Sequence, residues 1–320
     1  MRLLITGAAG FIGSALFREC VINKHKWGVD SVVGVDIDSC ACDKARINLG
    51  TDWEVSNTHH LINVDFSNNQ ILDQIADKMF DKVVHLAALP RVAYSVANPR
   101  RTDEYNINKS VALLESCLKS NTPMVFASSS SVYGGAKNLP TKEDEPLKQV
   151  SPYALQKATF EKYLEIYESI SNYNSIRLRF FNVYGPGQDG SSAYSTVLAA
   201  WMHKIKNKLP IAMEGDGEQR RDFCYVGDVV NACLLSAQKV DTVSGAFNVA
   251  CGNNYSCNEL LAYLKSKFAD GMIVVENRPP RPGDVRETLA DISKAQSILG
   301  YAPSTQFWDG VDKTVDWWFC

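Results

Sequence analysis

The sequence predicts an α/β protein in which helices cover both faces of a parallel sheet. Short apolar runs alternate with helical stretches through the N-terminal half of the chain, and such alternation is typical of doubly wound parallel sheets. A glycine-rich turn joins the first strand to the first helix, and a carboxylate ends the second strand. The predicted strands lie at 2–5, 31–35, 61–64, 82–86, 124–128 and 175–180, and the predicted helices at 15–22, 69–79, 100–120 and 153–171.

The glycine-rich turn, Gly7-Ala-Ala-Gly-Phe-Ile-Gly13, has the properties of a phosphate-binding loop. Glycines let the backbone approach a pyrophosphate closely, and the helix that follows points its free amides at the negative charge. Asp36 ends the second strand, where a carboxylate accepts hydrogen bonds from an adenosine ribose. Because Asp38 is close and no Arg or Lys occupies 37–39, a 2′-phosphate would meet like charge. We therefore expect a Rossmann-type domain that binds NAD rather than NADP.

The order of predicted elements changes after Tyr184. We expect residues 1–184 to form the NAD-binding domain and residues 185–320 to form mainly a smaller C-terminal substrate-binding lobe, with some segments returning to the first sheet. The elements predicted in this second part are helices at 193–207, 228–238 and 257–268, and strands near 211, at 222–226 and at 247–250.

Composition and charge exclude several classes of partner. The net charge of −3 argues against a nucleic-acid or membrane surface held by bulk electrostatics. The nine cysteines are scattered and odd in number, which favours reduced thiols over a disulfide framework. Cys40-Ala-Cys42 and His59-His60 lack zinc spacing, so we expect no metal site. No signal peptide or membrane-spanning run is found in the sequence, and we expect a cytoplasmic protein.

A tyrosine and a lysine four residues apart recur in this chain, and we expect one such pair to be catalytic. On a helix this spacing places an ammonium beside a phenol, which favours the phenolate and so lowers the phenol pKa. The pair Tyr153/Lys157 follows a strand that ends in serines at 128–131, one of which can share the tyrosine proton. The other pairs lack this context, and they are Tyr105/Lys109, Tyr133/Lys137 and Tyr263/Lys267.

The glycine-rich turn, Asp36, the serine-rich strand end and Tyr153-x-x-x-Lys157 together resemble the extended short-chain dehydrogenase/reductase family. Residues 178–185, 215–226 and 281–285 look more narrowly like nucleotide-sugar 4-epimerases, closest to those for UDP-N-acetylglucosamine or its uronic acid. The resemblance covers nearly the whole chain. It implies a UDP-sugar substrate and an NAD that stays bound between turnovers.

The resemblance also assigns roles to individual residues. It implies that Ser129, Tyr153 and Lys157 are catalytic, with Tyr153 taking the sugar 4-hydroxyl proton directly or through Ser129. A 4-keto sugar results, and its reduction on the opposite face inverts C4. The implied cofactor-binding residues are Gly7, Gly10, Phe11, Ile12, Gly13, Asp36, Asp65, Phe66, Leu86, Ala87, Ala88, Asn106, Tyr153 and Lys157. The implied substrate-binding residues are Arg91, Ser129, Ser130, Tyr153, Asn182, Arg221, Arg281, Asp284 and Thr288.

Several alternatives remain open at this level. Similar 4,6-dehydratases place an Asp-Glu pair where this chain has Ser130 and Ser131, and similar UDP-glucuronate decarboxylases carry a glutamate in place of Ser131. A non-catalytic NAD-binding sensor or scaffold would usually have lost the tyrosine or the lysine. UDP-glucose is a further possible substrate. Thr288, where strict glucose/galactose epimerases often carry tyrosine, leaves room for an N-acetyl group and favours N-acetylated sugars or their uronic acids.

The resemblance implies a homodimer as well. In the family pattern, the helices predicted at 100–120 and 153–171 pair with their copies in a four-helix bundle.

Overall fold

The computed structural model of the chain describes residues 1–49, 58–90, 92–192, 195–280 and 285–320. The strands, numbered in chain order, are β1 (Arg2–Thr6), β2 (Ser31–Asp36), β3 (His59–Asn63), β4 (Lys82–His85), β5 (Met124–Ser129), β6 (Ser175–Phe180), β7 (Asn182–Tyr184), β8 (Ile211–Glu214), β9 (Arg220–Tyr225), β10 (Gly245–Val249), β11 (Asn254–Ser256) and β12 (Val275–Arg278).

Seven of the strands in the described ranges form a parallel sheet in the order β10-β6-β5-β4-β1-β2-β3. Strand β6 is buried along its whole length, and β5 is buried except at its last residue. Such burial explains their near-continuous apolar character, because parallel sheets are covered on both faces. The predicted doubly wound α/β fold is confirmed.

Helices pack on both faces of this sheet and around the C-terminal lobe. Their bounds are α1 (Phe11–Ile22), α2 (Lys24–Trp27), α3 (Ser39–Leu49), α4 (Asn69–Ala76), α5 (Val92–Ala97), α6 (Pro99–Asp103), α7 (Lys109–Ser120), α8 (Pro152–Ser171), α9 (Val197–Lys206), α10 (Val226–Lys239), α11 (Cys257–Lys267) and α12 (Phe307–Phe319). Shorter turns are a 3₁₀ turn at Ser130–Tyr133 and π turns at Glu104–Asn108 and Ala295–Leu299.

The local sequence explains where α8 begins and how α6 and α7 connect. The Ser151 side chain accepts the Ala154 N–H at 3.2 Å, and Pro152 occupies the first helical position, which is a strong start signal. The single helix predicted at 100–120 is instead α6 and α7 joined by the π turn at Glu104–Asn108. One such turn inserts an extra residue into a continuous helix, and periodicity over a short window does not reveal it.

Two small sheets form the framework of the C-terminal lobe, in the orders β11-β9-β7 and β12-β8. An aromatic cluster that includes Tyr184, Phe223, Tyr255 and Phe307 fills its core. The lobe is not a contiguous piece of sequence, because β7 pairs with β9 although it precedes residue 185. Strand β10 returns from the C-terminal half to the edge of the large sheet beside β6.

The glycine-rich turn packs backbone directly against backbone. A Cβ added to Gly13 would lie 1.9 Å from the carbonyl oxygen of Gly7, and that oxygen belongs to the main chain and cannot swing away. A Cβ added to Gly10, whose φ is −68°, would lie 3.3 Å from the same oxygen. Gly13 is therefore required by the close packing of α1, whereas a methyl group at Gly10 needs a shift of only a few tenths of an ångström.

Gly13→Ala should lower the free energy of unfolding by about 1–3 kcal/mol or more, as over-packing of a rigid site does. Gly10→Ala serves as the matched control and should stay within about 1 kcal/mol of the wild type. Urea unfolding of the purified proteins followed by circular dichroism measures both. Equal stability of the two variants would contradict the packing argument.

Candidate active site

A cavity of about 1290 Å³ lies at the carboxyl ends of the large sheet's strands, between that sheet and the C-terminal lobe. Ligands of open α/β sheets bind at this edge. The sequence-predicted residues that line the cavity are Gly7, Gly10, Phe11, Ile12, Gly13, Asp36, Phe66, Leu86, Ala87, Ala88, Ser129, Ser130, Tyr153, Lys157, Asn182, Arg221 and Thr288. Arg91, Arg281 and Asp284 lie outside the described residues.

One end of the cavity is built from the glycine-rich turn and the end of β2. The Gly7 N–H donates to Val35 O at 2.9 Å, and Gly7 has a φ of +70°. The Asp36 carboxylate accepts the Ala9 N–H at 3.0 Å and also lines the cavity. Because α1 starts at Phe11, its free N–H groups face the same space. The turn, the helix start and the carboxylate fit the pyrophosphate and ribose of NAD.

Two residues predicted to bind the cofactor, Asp65 and Asn106, are absent from the lining formed by the described residues. Asn106 is buried in the π turn, accepts the Leu89 N–H at 2.8 Å and donates to Leu89 O at 3.1 Å. Its amide thus fixes the loop after β4, which carries Ala87 and Ala88 in the cavity wall. Asp65 forms an ion pair with Lys109 at 2.5 Å.

Helix α8 presents Tyr153 and Lys157 to the cavity. The Tyr153 N–H donates to Ser95 Oγ at 3.0 Å, which fixes the first turn of the helix. The Lys157 Nζ donates to Ala127 O at 2.6 Å and lies 5.8 Å from the centre of the Tyr153 ring. Burial lowers the pKa of Lys157 to about 7. The site therefore places beside a phenol a lysine that can gain or lose a proton near neutral pH.

Burial separates this pair from the other three pairs with the same spacing. Lys109 lies 3.8 Å from the Tyr105 ring centre and Lys267 lies 4.9 Å from the Tyr263 ring centre, so the helical contact itself is common. Lys137 and Lys267 are exposed and Lys109 is half-buried, whereas Lys157 is buried. A cation–phenol contact is easily formed on a helix, but only burial shifts its pKa strongly.

Ser129 ends β5 and begins the 3₁₀ turn that follows. Its Oγ accepts the Ser131 N–H at 3.2 Å, and both serines line the cavity. The Ser131 hydroxyl is buried without a hydrogen-bond partner among the described residues. The serine-rich strand end thus supplies hydroxyl groups, and no carboxylate, at the point where Tyr153 faces the cavity.

Another part of the cavity wall is held in place by Asp222, which sequence reasoning did not single out. Its buried carboxylate accepts the N–H groups of Cys251, Gly252 and Ala290 at 2.9–3.1 Å. Burial raises the pKa of Asp222 to about 6, although these bonds favour the charged form. A carboxylate directly before the apolar run at 223–226 was the available signal, because buried charges need several hydrogen bonds.

Thr288 is held in this wall by two donors. Its Oγ1 accepts the Asp222 N–H at 3.1 Å and the Asn182 side-chain amide at 3.3 Å. Sequence reasoning also missed a loop between β7 and α9 that lines the cavity through Gly187, Gln188 and Asp189. A glycine-rich turn after β7 was its only sequence signal.

The comparisons with known proteins agree with this architecture. Residues 3–250 match the family model described as "NAD dependent epimerase/dehydratase family". A putative UDP-glucose 4-epimerase of Methanocaldococcus jannaschii is 31% identical over 317 residues, which cover 98% of this chain and 97% of that protein.

Two solved structures extend the likeness to three dimensions. The UDP-N-acetylglucosamine 4-epimerase of Methanobrevibacter ruminantium, in complex with UDP-N-acetylmuramic acid, has a TM-score of 0.88 and 33% identity, covering 99% of this chain and 98% of its own. The UDP-glucose 4-epimerase of Thermus thermophilus, in complex with NAD, has a TM-score of 0.82 and 30% identity, covering 100% and 99%. Among the described residues, no helix has the length and apolarity to cross a membrane. By sequence and by structure, the chain belongs to the NAD dependent epimerase/dehydratase family.

Proposed function

We propose that this protein interconverts the C4 epimers of a UDP-hexose with bound NAD. The observation that carries the proposal is the buried Lys157 ammonium beside Tyr153, in the same cavity as the glycine-rich turn. Relatives that cover nearly the whole chain and act on UDP-sugars at C4 support the reaction class. The serines at 130 and 131 supply no acid and base for an elimination, which favours epimerisation over 4,6-dehydration or decarboxylation.

In this reaction the chain's own residues move a proton and hold the sugar. NAD held by the glycine-rich turn and Asp36 would supply the acceptor for the C4 hydride and the donor for its return to the opposite face. Tyr153 takes the 4-hydroxyl proton, and the charge on Lys157 stabilises the phenolate that makes this possible. Ser129 hydrogen-bonds to the same oxygen or passes the proton to Tyr153. Arg221 binds the diphosphate, and loose contacts around the pyranose let the keto sugar turn over.

The size of the sugar-facing wall favours an N-acetylated hexose or its uronic acid over a plain hexose. Gly134, Gly135, Ala136 and Thr288 line the cavity, and all of them are small. Because Thr288 is fixed by two hydrogen bonds, its short side chain cannot rotate into the space that an acetamido group would need. A second candidate substrate pair is UDP-glucose and UDP-galactose, which fits the same wall with space to spare.

Replacement of Tyr153 by Phe removes the proton acceptor and keeps the ring, so turnover should fall by ~10² or more while UDP binding persists. Product formation from a panel of UDP-sugars, followed by NMR, measures turnover and identifies the reaction. Tyr105→Phe is the matched control, since Tyr105 also lies beside a lysine and lines the cavity. Near-normal turnover in Tyr153→Phe would remove Tyr153 from the mechanism.

Thr288→Tyr should reverse the substrate preference, because the larger ring fills the acetamido space. We expect the wild type to have the higher kcat/KM for the N-acetylated pair or its uronic acids, and the variant to prefer UDP-glucose and UDP-galactose. Thr288→Val is the control, since it loses the hydroxyl that Asp222 and Asn182 contact and keeps the volume. A wild type that prefers the non-acetylated pair would overturn the substrate assignment.

We further propose that two copies associate through α8. This helix exposes Leu155, Tyr163, Ile166 and Ile170, and their spacing places these side chains along one face. A stripe of this kind is self-complementary about a two-fold axis, which is the usual geometry of homodimers. A second copy of the chain therefore buries these side chains without a new partner.

Ile166→Glu should convert the dimer into monomers, because it places an uncompensated charge inside the apolar contact. Ile22→Glu, at an exposed apolar position at the end of α1, is the control and should remain dimeric. Sedimentation velocity of the three proteins decides between the outcomes. A monomeric wild type would refute the dimer.

A further inference from the structure

A buried ion pair lies one helical turn beyond Lys157. Glu161 on α8 and Arg179 on β6 join through Nη2–Oε2 at 2.7 Å and Nε–Oε1 at 3.1 Å. Their side chains are 1% and 4% exposed, so water screens neither charge. Neither Glu161 nor Arg179 is among the residues that the sequence predicted to be functional.

The pair is saturated with hydrogen bonds from its surroundings. The Ser128 hydroxyl donates to Glu161 Oε1. Arg179 Nη1 donates to the Tyr133 hydroxyl and to Glu143 O, and both of these distances are 2.9 Å. Because these bonds occupy the polar atoms of Glu161 and Arg179, the pair is not suited to bind a ligand. A buried pair is also weak evidence for stability, because desolvation offsets most of its attraction. Its position beside Lys157 is the feature that calls for an explanation.

Few charged or titratable groups of the described chain face Lys157. Helix α8 contributes Tyr153 and Glu161, β4 contributes His85, and β6 contributes Arg179 behind Glu161. Strand β5 contributes the Ala127 carbonyl and the face of the Phe126 ring, which are polar or polarisable but uncharged. Burial lowers the pKa of His85 to about 3, so this ring is neutral in the working range. Glu161 is therefore the anionic side chain among the described residues that face Lys157.

We propose that Glu161 is a positioning residue that shifts Lys157 toward its ammonium form, and that Arg179 holds Glu161 ionised and in place. On a helix, residues four apart face the same side, so Glu161 and Lys157 lie on the same side of α8, one turn apart. Burial of Lys157 favours the neutral amine, and the Glu161 charge acts in the opposite direction. The inference rests on the proposed function, because it assigns Lys157 its part in activating Tyr153.

The consequence for Tyr153 follows from the charge on its neighbour. An ammonium group stabilises the phenolate, whereas a neutral amine does not. Loss of the Glu161 charge should lower the pKa of Lys157, so that the amine loses its proton at a lower pH. Tyr153 would then ionise beside an uncharged neighbour and retain its own proton to a higher pH.

The decisive variant is Glu161→Gln. We expect turnover at pH 7 to fall by roughly fivefold, and the alkaline limb of the pH profile, where activity falls as pH rises, to move down by roughly one unit, as loss of a nearby opposite charge does. Glu161→Asp keeps the charge and should keep the limb near its wild-type position. A role in packing alone would lower activity in both variants without moving the limb, and that result would overturn the proposal.

A second variant guards against misfolding. Glu161→Gln leaves Arg179 buried without a partner, which is destabilising. The double variant Glu161→Gln/Arg179→Met removes both charges and should recover the melting temperature. The alkaline limb of its pH profile should still lie below that of the wild type. A stable double variant with a wild-type limb would also overturn the proposal.

A titration without substrate separates this inference from the proposed function. The ultraviolet difference between each protein and the same protein carrying Tyr153→Phe reports ionisation of Tyr153 alone. The midpoint should be higher in the Glu161→Gln background than in the wild-type background, whether or not the protein epimerises the sugars supplied. Equal midpoints would refute the role of Glu161, whereas absent turnover with shifted midpoints would refute only the proposed function.

Discussion

The burial of the Lys157 ammonium is the constraint on which much of the structure depends. A cation in an apolar interior is very costly unless polar atoms surround it. Here the Ala127 carbonyl accepts its hydrogen bond, and the face of the Phe126 ring lies 4.6 Å away. Both partners come from β5, so α8 must cross the carboxyl end of that strand. The Ser151 cap and the Ser95 hydroxyl fix the start of the helix at that place.

The same crossing explains why polar side chains accumulate beneath α8. Neighbouring strands β5 and β6 bring Ser128 and Arg179 opposite each other, and both contact Glu161. From Arg179 the network continues through the Tyr133 hydroxyl to the side chain of Asn248 on β10. Partly satisfied buried networks are costly, and fully satisfied ones make a site rigid. The return of β10 to the sheet edge thus completes the support of the site.

On the other side of the cavity, Asp222 has a comparable structural role. Its carboxylate joins the segment after β10 to the segment around Ala290, and its backbone N–H holds Thr288. Three stretches that are far apart in sequence therefore meet at one buried group. Asp222 therefore holds the part of the cavity wall that contains Thr288.

The sequence by itself determined the features that depend on neighbouring residues. Apolar runs located the six strands predicted before residue 184 to within two residues at each end, because burial on both faces of a sheet leaves a local pattern. The glycine-rich turn, the end of β2 at Asp36 and the Tyr153/Lys157 spacing are equally local. The confirmed fold class and the confirmed cofactor both follow from these short-range signals.

Only the tertiary structure decided which polar residues meet, because burial and pairing depend on residues that are distant in the chain. Spacing could not show that Lys157 is buried while Lys109 and Lys267 are not. Nor could it show that Asn106 hydrogen-bonds to the backbone of the loop after β4 instead of lining the cavity. The pairing of Glu161 with Arg179 and the support of Thr288 by Asp222 join separate elements of the sheets. Such contacts leave no periodic trace, since each is fixed by how whole strands and helices pack.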